Sequence, residues 1–329
     1  MFQRSSETRE EVGTASVYLD KEKTATFGGF VIRGKKIGEY EPFFLSRLLQ
    51  TDLSRNQITS KSGGSTRYNV GQEILMSIEV SFPTLPEQQK IATFLSTVDE
   101  KLQALKKKKC LLETYKKGVM QKLFSQEIRF KDVKGNDFED WEVKKLGEVA
   151  ELTSSKRVYA SDYVSSGIPF FRGKEITELK QNIIPTDILY ISKEAYLKFK
   201  NTYGVPQIND ILITAVGTLG NILKVKNNNP FYFKDGNLIW IRYVTENSDF
   251  LAILLNYNYN DIEKSAIGSS QKALTMVELR KLLFLFPSLP EQTKIANFLT
   301  SIDEKFNKVD AQIKQMELWK KGLLQQMFV

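Results

Sequence analysis

The 329-residue chain has no histidine and a single cysteine, Cys110. Without histidine there is no Ser-His-Asp or Cys-His nucleophile pair, no HExxH metalloprotease centre and no His-ligated metal. One cysteine excludes CxxC zinc sites and intrachain disulfides, and that usage suits a reducing compartment. Long apolar runs are also missing: no 18-residue apolar stretch occurs, and the opening MFQRSSETREE lacks the apolar core of a secretory signal. The expectation is a soluble, cytoplasmic protein with no membrane partner. Neither an NPPY/DPPY-type methylation motif nor a GxxxxGK[ST] nucleotide loop is found. The acidic run 140–144 (DWEVK) lacks the Pro-Asp that opens a nuclease carboxylate pattern.

The net charge of +8 is concentrated in one place, since residues 101–134 carry 11 basic and 3 acidic side chains while the rest of the chain balances. A localised basic stripe is the footprint expected beside a polyanion, although a solvated helix face looks the same by composition. At about 100 to 200 residues per domain, the length allows two domains or one and a half.

What the sequence has in abundance is self-similarity. FPTLPEQQKIATFLSTVDEK at 82–101 recurs as FPSLPEQTKIANFLTSIDEK at 286–305, and the match runs on to Phe124 and Phe328. The offset is 204 throughout without a gap, and 20 of the 43 pairs are identical.

Each copy reads as one long helix, over 87–124 and 291–328. Pro86 and Pro290 suit a first helical position, and Glu87 and Glu291 place negative charge at the positive end of the dipole. Ile91, Val98, Leu105, Leu112 and Val119 recur every seven residues, as do Ile295, Ile302, Val309, Met316 and Leu323. A heptad seam predicts a coiled coil. Rods of about 57 Å are too long to be covered by a small globule. Being equal in length they can bury each other, so pairing within one chain is expected. A second seam runs through Lys109, Lys116 and Lys320. At Lys109, opposite in the repeat to Ile313, the seam must open or the side chain must snorkel outward, leaving a cationic band at 106–109. That band suits either a DNA spacer or an acidic patch on a partner. Cys110 beside it reads as an inert helix residue.

Between the rods, residues 137–285 hold short β-rich runs at 211–215, 222–225, 231–233 and 238–244, broken by turn signals at 227–230 and 235–236. Residues 250–256 and 276–283 look helical, and Trp141, Leu146 and Val149 are expected to seat the first turn of this globule in a core. The fold class is α+β: mixed α/β globules alternating with two long helices. Residues 1–81 resemble the back half of the same globule. There 27–32 stands where 233–239 does, 43–49 parallels 250–256, Gly64-Ser65-Thr66 parallels Gly268-Ser269-Ser270, and 4–9 takes the place of TAVGTLG at 214–220.

The order globule, rod, globule, rod, with LPEQ opening both rods, resembles the specificity subunit of type I restriction-modification enzymes over nearly the whole chain. The resemblance implies target recognition globules that each read half of a bipartite double-stranded DNA sequence, and an antiparallel coiled coil that spaces them and docks modification (methyltransferase) subunits. It implies four segments: 1–81, the C-terminal part of a first recognition domain; 82–130, a central helix; 131–285, a complete second recognition domain; and 286–329, a distal helix. It implies no catalysis by this chain itself. S-adenosylmethionine, ATP and Mg would be held by modification subunits and, through them, restriction subunits. The ten seam residues named above are the expected subunit interface.

Residue type and turn context nominate DNA contacts. Ser154, Ser155, Lys156 and Arg157 form a polar, basic loop suited to phosphates, though a plain surface loop has the same composition. Arg172 and Lys174 follow an apolar run; Arg172 suits guanine O6/N7, or a structural ion pair. Thr214 and Thr218 lie in a Gly-containing loop that reads equally as a hairpin turn. Ser269, Ser270, Gln271 and Lys272 precede the last short helix. In the first globule the candidates are Arg4, Ser6, Thr8, Arg9, Lys61 and Arg67.

Subtracting the offset from residue 137 gives −67, so the first globule is expected to be truncated, to be completed by a complementing specificity fragment or met by a second copy of the chain. The alternative from a different class is an interaction module that binds modification subunits without reading DNA.

Overall fold

Two long helices, Leu85–Phe124 and Leu289–Met327, carry the repeat. Both start just ahead of the Pro-Glu pair, so each proline falls in a first turn where its missing N–H costs nothing. The computed structural model describes all residues except Leu19, Lys21, Ser65, Ser270, Gln271 and Val329. By contact the chain divides into two compact units, Met1–Thr114 with Glu304–Val329, and Tyr115–Asp303, so each long helix contributes to both.

In the first unit the helices run antiparallel. Rising positions on one meet falling positions on the other: Asp99 with Lys320 at 2.6 Å, Lys106 with Glu317 at 2.6 Å and Lys109 with Asp310 at 2.5 Å. Leu102, Val309 and Ile313 fill the seam with Leu105, Leu112 and Met316 alongside. Nearer the end of the second helix, Ile91 and Leu95 pack with Phe44 and Leu48 beneath Leu323, Leu324, Met327 and Phe328. In the second unit Lys116 meets Asp303 at 2.5 Å, and Ile295, Leu299 and Ile302 enter the main core with Leu123 and Val119. All ten heptad residues are buried or half-buried.

The lysines on the second seam are accommodated by crossing to carboxylates on the opposite helix. Lys109 also holds its Nζ over the Phe306 ring, 5.1 Å from the centroid. The cationic band expected at 106–109 is therefore partly neutralised. Lys107 and Lys108 are exposed and make no ion pair among the described residues.

The second unit is built on two four-stranded sheets. One has the order Ile222–Lys224, Ile211–Thr214, Leu238–Arg242, Glu151–Thr153, all antiparallel. Its strand Ile211–Thr214 is buried throughout, because Ile211 and Ile213 face the main core while Leu212 faces a second cluster with Trp240 and Phe233. The other has the order Tyr232–Phe233, Ile168–Phe171, Leu189–Ile191, Tyr163–Val164. Trp141, Leu146 and Val149 are buried in the main core. One element differs from expectation: the helix at Met276–Lys281 stops early, and Leu283–Phe286 is a strand paired antiparallel with Glu142–Lys145. Phe284 and Phe286 alternate inward there, and the partner strand is supplied from far upstream.

The first unit repeats several backbone hydrogen bonds of the second where its sequence resembles it. Val70 N–H donates to the Arg4 carbonyl at 2.9 Å as Leu274 N–H does to Ala215 at 2.9 Å. Gly13 N–H donates to the Gln3 carbonyl at 2.8 Å as Gly220 N–H does to Thr214 at 2.9 Å, at φ of +72° and +71°. Any Cβ at these glycines would lie 2.6 Å from Ile58 Cγ2 or 2.7 Å from the Tyr259 ring. Strand Val31–Ile32 pairs with Phe2–Gln3 in the register by which Leu238 and Ile239 pair with Thr214 and Ile213. Residues 4–9 thus stand at the 214–220 loop, and 27–32 at 233–239.

Candidate nucleic-acid interface

The glutamine of each LPEQ motif ties a rod to the unit it serves. Gln88 is buried, donates from Nε2 to the Pro83 carbonyl at 2.8 Å and accepts the Glu41 N–H on Oε1 at 3.0 Å. Gln292, also buried, donates to the Pro287 carbonyl at 2.8 Å and accepts the Asn247 N–H at 2.9 Å. Glu41 and Asn247 are themselves the N-caps of Pro42–Leu48 and Ser248–Tyr257. A glutamine serves because it alone of the long side chains offers a donor and an acceptor on one planar group.

In the second unit the nominated segments converge. The loop 154–157 is stitched to 232–235, since Ser155 Oγ donates to the Phe233 carbonyl at 2.6 Å, Lys156 N–H to the Tyr232 hydroxyl at 2.8 Å, and Arg157 Nε to Asp235 Oδ2 at 2.9 Å. Lys234 N–H in turn donates to the Phe171 carbonyl at 2.9 Å, next to Arg172. The helix Gly173–Lys180 abuts the 214–220 loop through the 2.9 Å bond from Asn221 Nδ2 to Thr177 Oγ1. An isolated bridge joins Val216 to Ala273, beside Lys272. Lys156, Arg157, Lys174, Thr218, Ser269 and Lys272 are exposed on these connected segments, and Ser154 is half-buried with its Oγ donating to Leu238 at 3.3 Å. Ser270 and Gln271 lie outside the described residues.

Three nominated hydroxyls are turned away from solvent. Thr214, 1% exposed, donates to the Thr218 carbonyl and accepts the Asn221 N–H, which closes the hairpin. Ser155 is committed to Phe233, and in the first unit Ser6 is buried and donates to Glu11 at 2.8 Å. Inward-facing and already bonded, they are structural.

Arg172 is held at the base of its helix. Its Nη2 meets Glu175 Oε1 at 2.5 Å and its backbone N–H donates to Glu175 Oε2 at 2.6 Å, which ties the N-cap residue to the first turn of the helix. Burial pushes the fully buried Glu175 carboxyl up, but the hydrogen bonds from Arg172 outweigh it and hold the group below its usual range. The ion-pair alternative is therefore the one realised in the free protein. In the first unit, Arg4 donates to the Gly29 carbonyl at 3.4 Å, Arg9 to Thr59 at 3.0 Å, and Lys61 to Ser77 at 3.0 Å. Arg67 pairs with Glu7 at 3.3 Å, and Thr8 is exposed.

Sequence reasoning missed a cleft of about 790 Å³ lined by Lys200, Gln207, Asp210, Trp240, Arg242 and Tyr243, among others. Asp210 sits at its base, where burial pushes the carboxyl up against the bonds from Gln207 N–H and the Trp240 indole at 2.8 Å. Arg242 lies 4.8 Å from the Trp240 ring and 4.9 Å from the Tyr243 ring, and it donates to Glu151 at 2.7 Å. Tyr243 is 71% exposed at a left-handed φ of +50°. Neighbouring Tyr203 takes Lys156 over its ring at 4.7 Å, which links the cleft to the basic loop. Alternation along IWIRY puts Trp240 and Arg242 on one strand face and was the available signal. Among the described residues no helix is long and apolar enough to cross a membrane.

The family of type I restriction modification DNA specificity domains matches residues 7–114 and 138–317. The chain is 29% identical over 334 residues to a Methanocaldococcus jannaschii protein named for the MjaX type I restriction enzyme specificity subunit, covering 96% of this chain and 74% of that one. It is 27% identical over 287 residues to the MjaVIII specificity subunit of the same organism, covering 83% and 66%. The chain thus spans about three quarters and two thirds of these relatives. Its fold is that of the S subunit of a type I restriction-modification system from M. genitalium, with a TM-score of 0.58 at 20% identity over 88% of this chain and 73% of that one. With the family match covering most of the chain, including the greater part of each repeat, the chain belongs to the type I restriction-modification DNA specificity family.

Proposed function

We propose that the chain is a non-catalytic DNA-reading subunit of a type I restriction-modification complex. The observation that carries this is the doubled LPEQ rod, each copy tied by its glutamine to an α/β unit, in a chain whose family match includes the greater part of each copy. Rods of equal length fix a spacing, and a spacing between readers is what a bipartite DNA target requires.

Residues 131–285 read one half-site of duplex DNA. Lys156, Arg157, Lys174 and Lys272 neutralise phosphates, with Ser154, Thr218, Ser269, Ser270 and Gln271 as polar positioning groups. Arg172 fixes the helix that carries Lys174. Residues 1–81 supply Arg4, Thr8, Arg9, Lys61 and Arg67 to the other half. The helices in 82–130 and 286–329 space the readers and dock modification subunits, with restriction subunits attached through these. The setting is the cytoplasm, and S-adenosylmethionine, ATP and Mg belong to the partner subunits.

Co-expression with the cognate modification subunit, followed by methylome sequencing, tests the proposal. The expected result is methylation at a defined target that changes when residues 131–285 are exchanged for another globule. Methylation that is unaltered by the exchange overturns it, as does methyl transfer by the purified chain alone.

A further inference from the structure

The repeat gives the molecule an internal template for one of its own surfaces. Phe82, Glu87 and Phe94 of the first unit correspond to Phe286, Glu291 and Phe298 of the second. Their settings agree closely: the Phe44 and Phe82 rings are 6.0 Å apart and the Phe250 and Phe286 rings 6.1 Å, while Phe328 packs on Phe44 as Phe124 does on Phe250.

In the second unit this surface is covered by the segment following the first rod. Arg129 donates twice to the fully buried Glu291, at 3.2 and 2.8 Å, and the Trp141 indole donates to it at 3.2 Å. Phe130 packs edge-on against Phe298 at 5.6 Å. Trp141 caps Phe124 and Phe250 at 6.3 and 6.2 Å. Strand Glu142–Lys145 then pairs with Leu283–Phe286, leaving Phe286 1% exposed, and Glu151–Thr153 pairs with Trp240, Ile241 and Arg242.

In the first unit the same groups are exposed. Phe82 is 43% and Phe94 42% exposed, although Tyr40 and Trp319 touch their flanks, and Glu87 is exposed. Among the described residues, neither 79–82 nor 33–35 has a strand partner. Exposed aromatic rings beside an unpaired backbone edge and a lone carboxylate are an interaction surface, with β-augmentation as its mode.

We infer that the face of the first unit around Phe82, Glu87 and Phe94 docks a polypeptide segment with the chemistry of residues 126–153. That chemistry is an arginine followed by an aromatic residue, then a tryptophan leading into a pairing strand. The arginine and the indole N–H neutralise Glu87, the tryptophan closes the Phe44, Phe82 and Phe328 cluster, and the strand pairs with 79–82. Charge complementarity selects the cation, since a second acidic or neutral group would leave Glu87 desolvated and unpaired.

The probe is a fluorescein-labelled peptide of residues 126–153 added to the full chain without DNA, so the outcome is independent of target reading. Saturable one-to-one binding is expected by anisotropy, with hydrogen-exchange protection at 79–82. Glu87→Gln, a surface change that leaves folding intact, is expected to weaken binding about tenfold, as is Arg129→Gln in the peptide. Absence of binding overturns the inference. Binding that is indifferent to Glu87→Gln, with altered exchange at 283–286 instead, also overturns it and assigns the peptide to the second unit. Self-association of the chain that Glu87→Gln dissociates and the peptide cannot displace overturns a segment of this chemistry in favour of a second copy.

Discussion

The backbone N–H of Asn247 donates to the side-chain carbonyl of Gln292 at 2.9 Å, so that the first turn of a long helix holds the N-cap of a globule helix. The Gln292 side-chain amide also donates from Nε2 to the carbonyl of Pro287 at 2.8 Å, and Gln292 itself is fully buried. The bonded glutamine fixes the rotation of the helix against its own globule, which an apolar contact alone would not do.

Gln292→Met keeps the shape of the side chain but leaves the Asn247 N–H and the Pro287 carbonyl unpaired. Losing both bonds, one of them fully buried, is expected to cost about 2 to 4 kcal/mol in urea unfolding. Gln88→Met is expected to act alike on the first unit. A loss under about 0.5 kcal/mol for either would mean that the joint is held by apolar packing instead.

Ile302 is buried in the apolar core shared by the second helix and its globule, so an aspartate there would place a carboxylate among apolar side chains. Ile302→Asp is expected to destabilise the protein by about 3 to 5 kcal/mol and to abolish pulldown of the modification subunit. Lys109→Ile installs the residue found at the equivalent position 313. Asp310 keeps Lys314 at 2.9 Å, so stability is expected to change by no more than about 1 kcal/mol, in either direction. Unchanged helicity and unchanged pulldown in Ile302→Asp would separate the rods from partner docking.

The rods and the repeat were legible because each is a periodic signal: Ile91 to Val119 announce a seam without knowledge of any partner. The strand Leu283–Phe286 was not, since its apolar run is ambiguous alone and its partner Glu142–Lys145 is remote in sequence. Among site residues, polarity was readable and direction was not. Thr214 and Ser155 have the composition of anion-binding loops, yet tertiary bonds to Thr218 and Phe233 turn them inward. Lys109 was visible as a conflict on the seam, but the Asp310 that resolves it lies on the other helix.

Arg172 and Glu175 give the fold a pH dependence with a defined sign. The Glu175 carboxyl is held below its ordinary value of 4.5, so it stabilises the folded state fully above that value, and the contribution is lost as pH falls through the lowered one. Arg172→Ala strips the buried carboxylate of its cation and is expected to cost about 3 to 5 kcal/mol at neutral pH. The difference from wild type should shrink as acid protonates Glu175, measured by urea unfolding between pH 7 and pH 3. DNA binding should fall equally for all sequences. A base-selective loss in a variant of undiminished stability would return Arg172 to direct reading of guanine.

Tyr243 separates recognition from stability. It is exposed, stacked against Arg242 and held at φ +50°, a conformation that costs a non-glycine residue about 1 kcal/mol or more. Tyr243→Gly relieves that strain while adding freedom to the unfolded chain, so stability is expected to stay within about 1 kcal/mol of wild type. If the ring packs against DNA at the mouth of the cleft, its removal weakens specific binding by about 1 to 3 kcal/mol and leaves the salt slope unchanged, because no phosphate-neutralising charge has been removed. Lys156→Gln is expected to do the opposite, reducing the slope by about one and weakening binding to every sequence. Titrations of target and non-target duplexes at several salt concentrations read both effects at once. A Tyr243→Gly protein that binds its target as tightly as wild type would exclude the cleft from recognition and leave the strained tyrosine without a role in reading DNA.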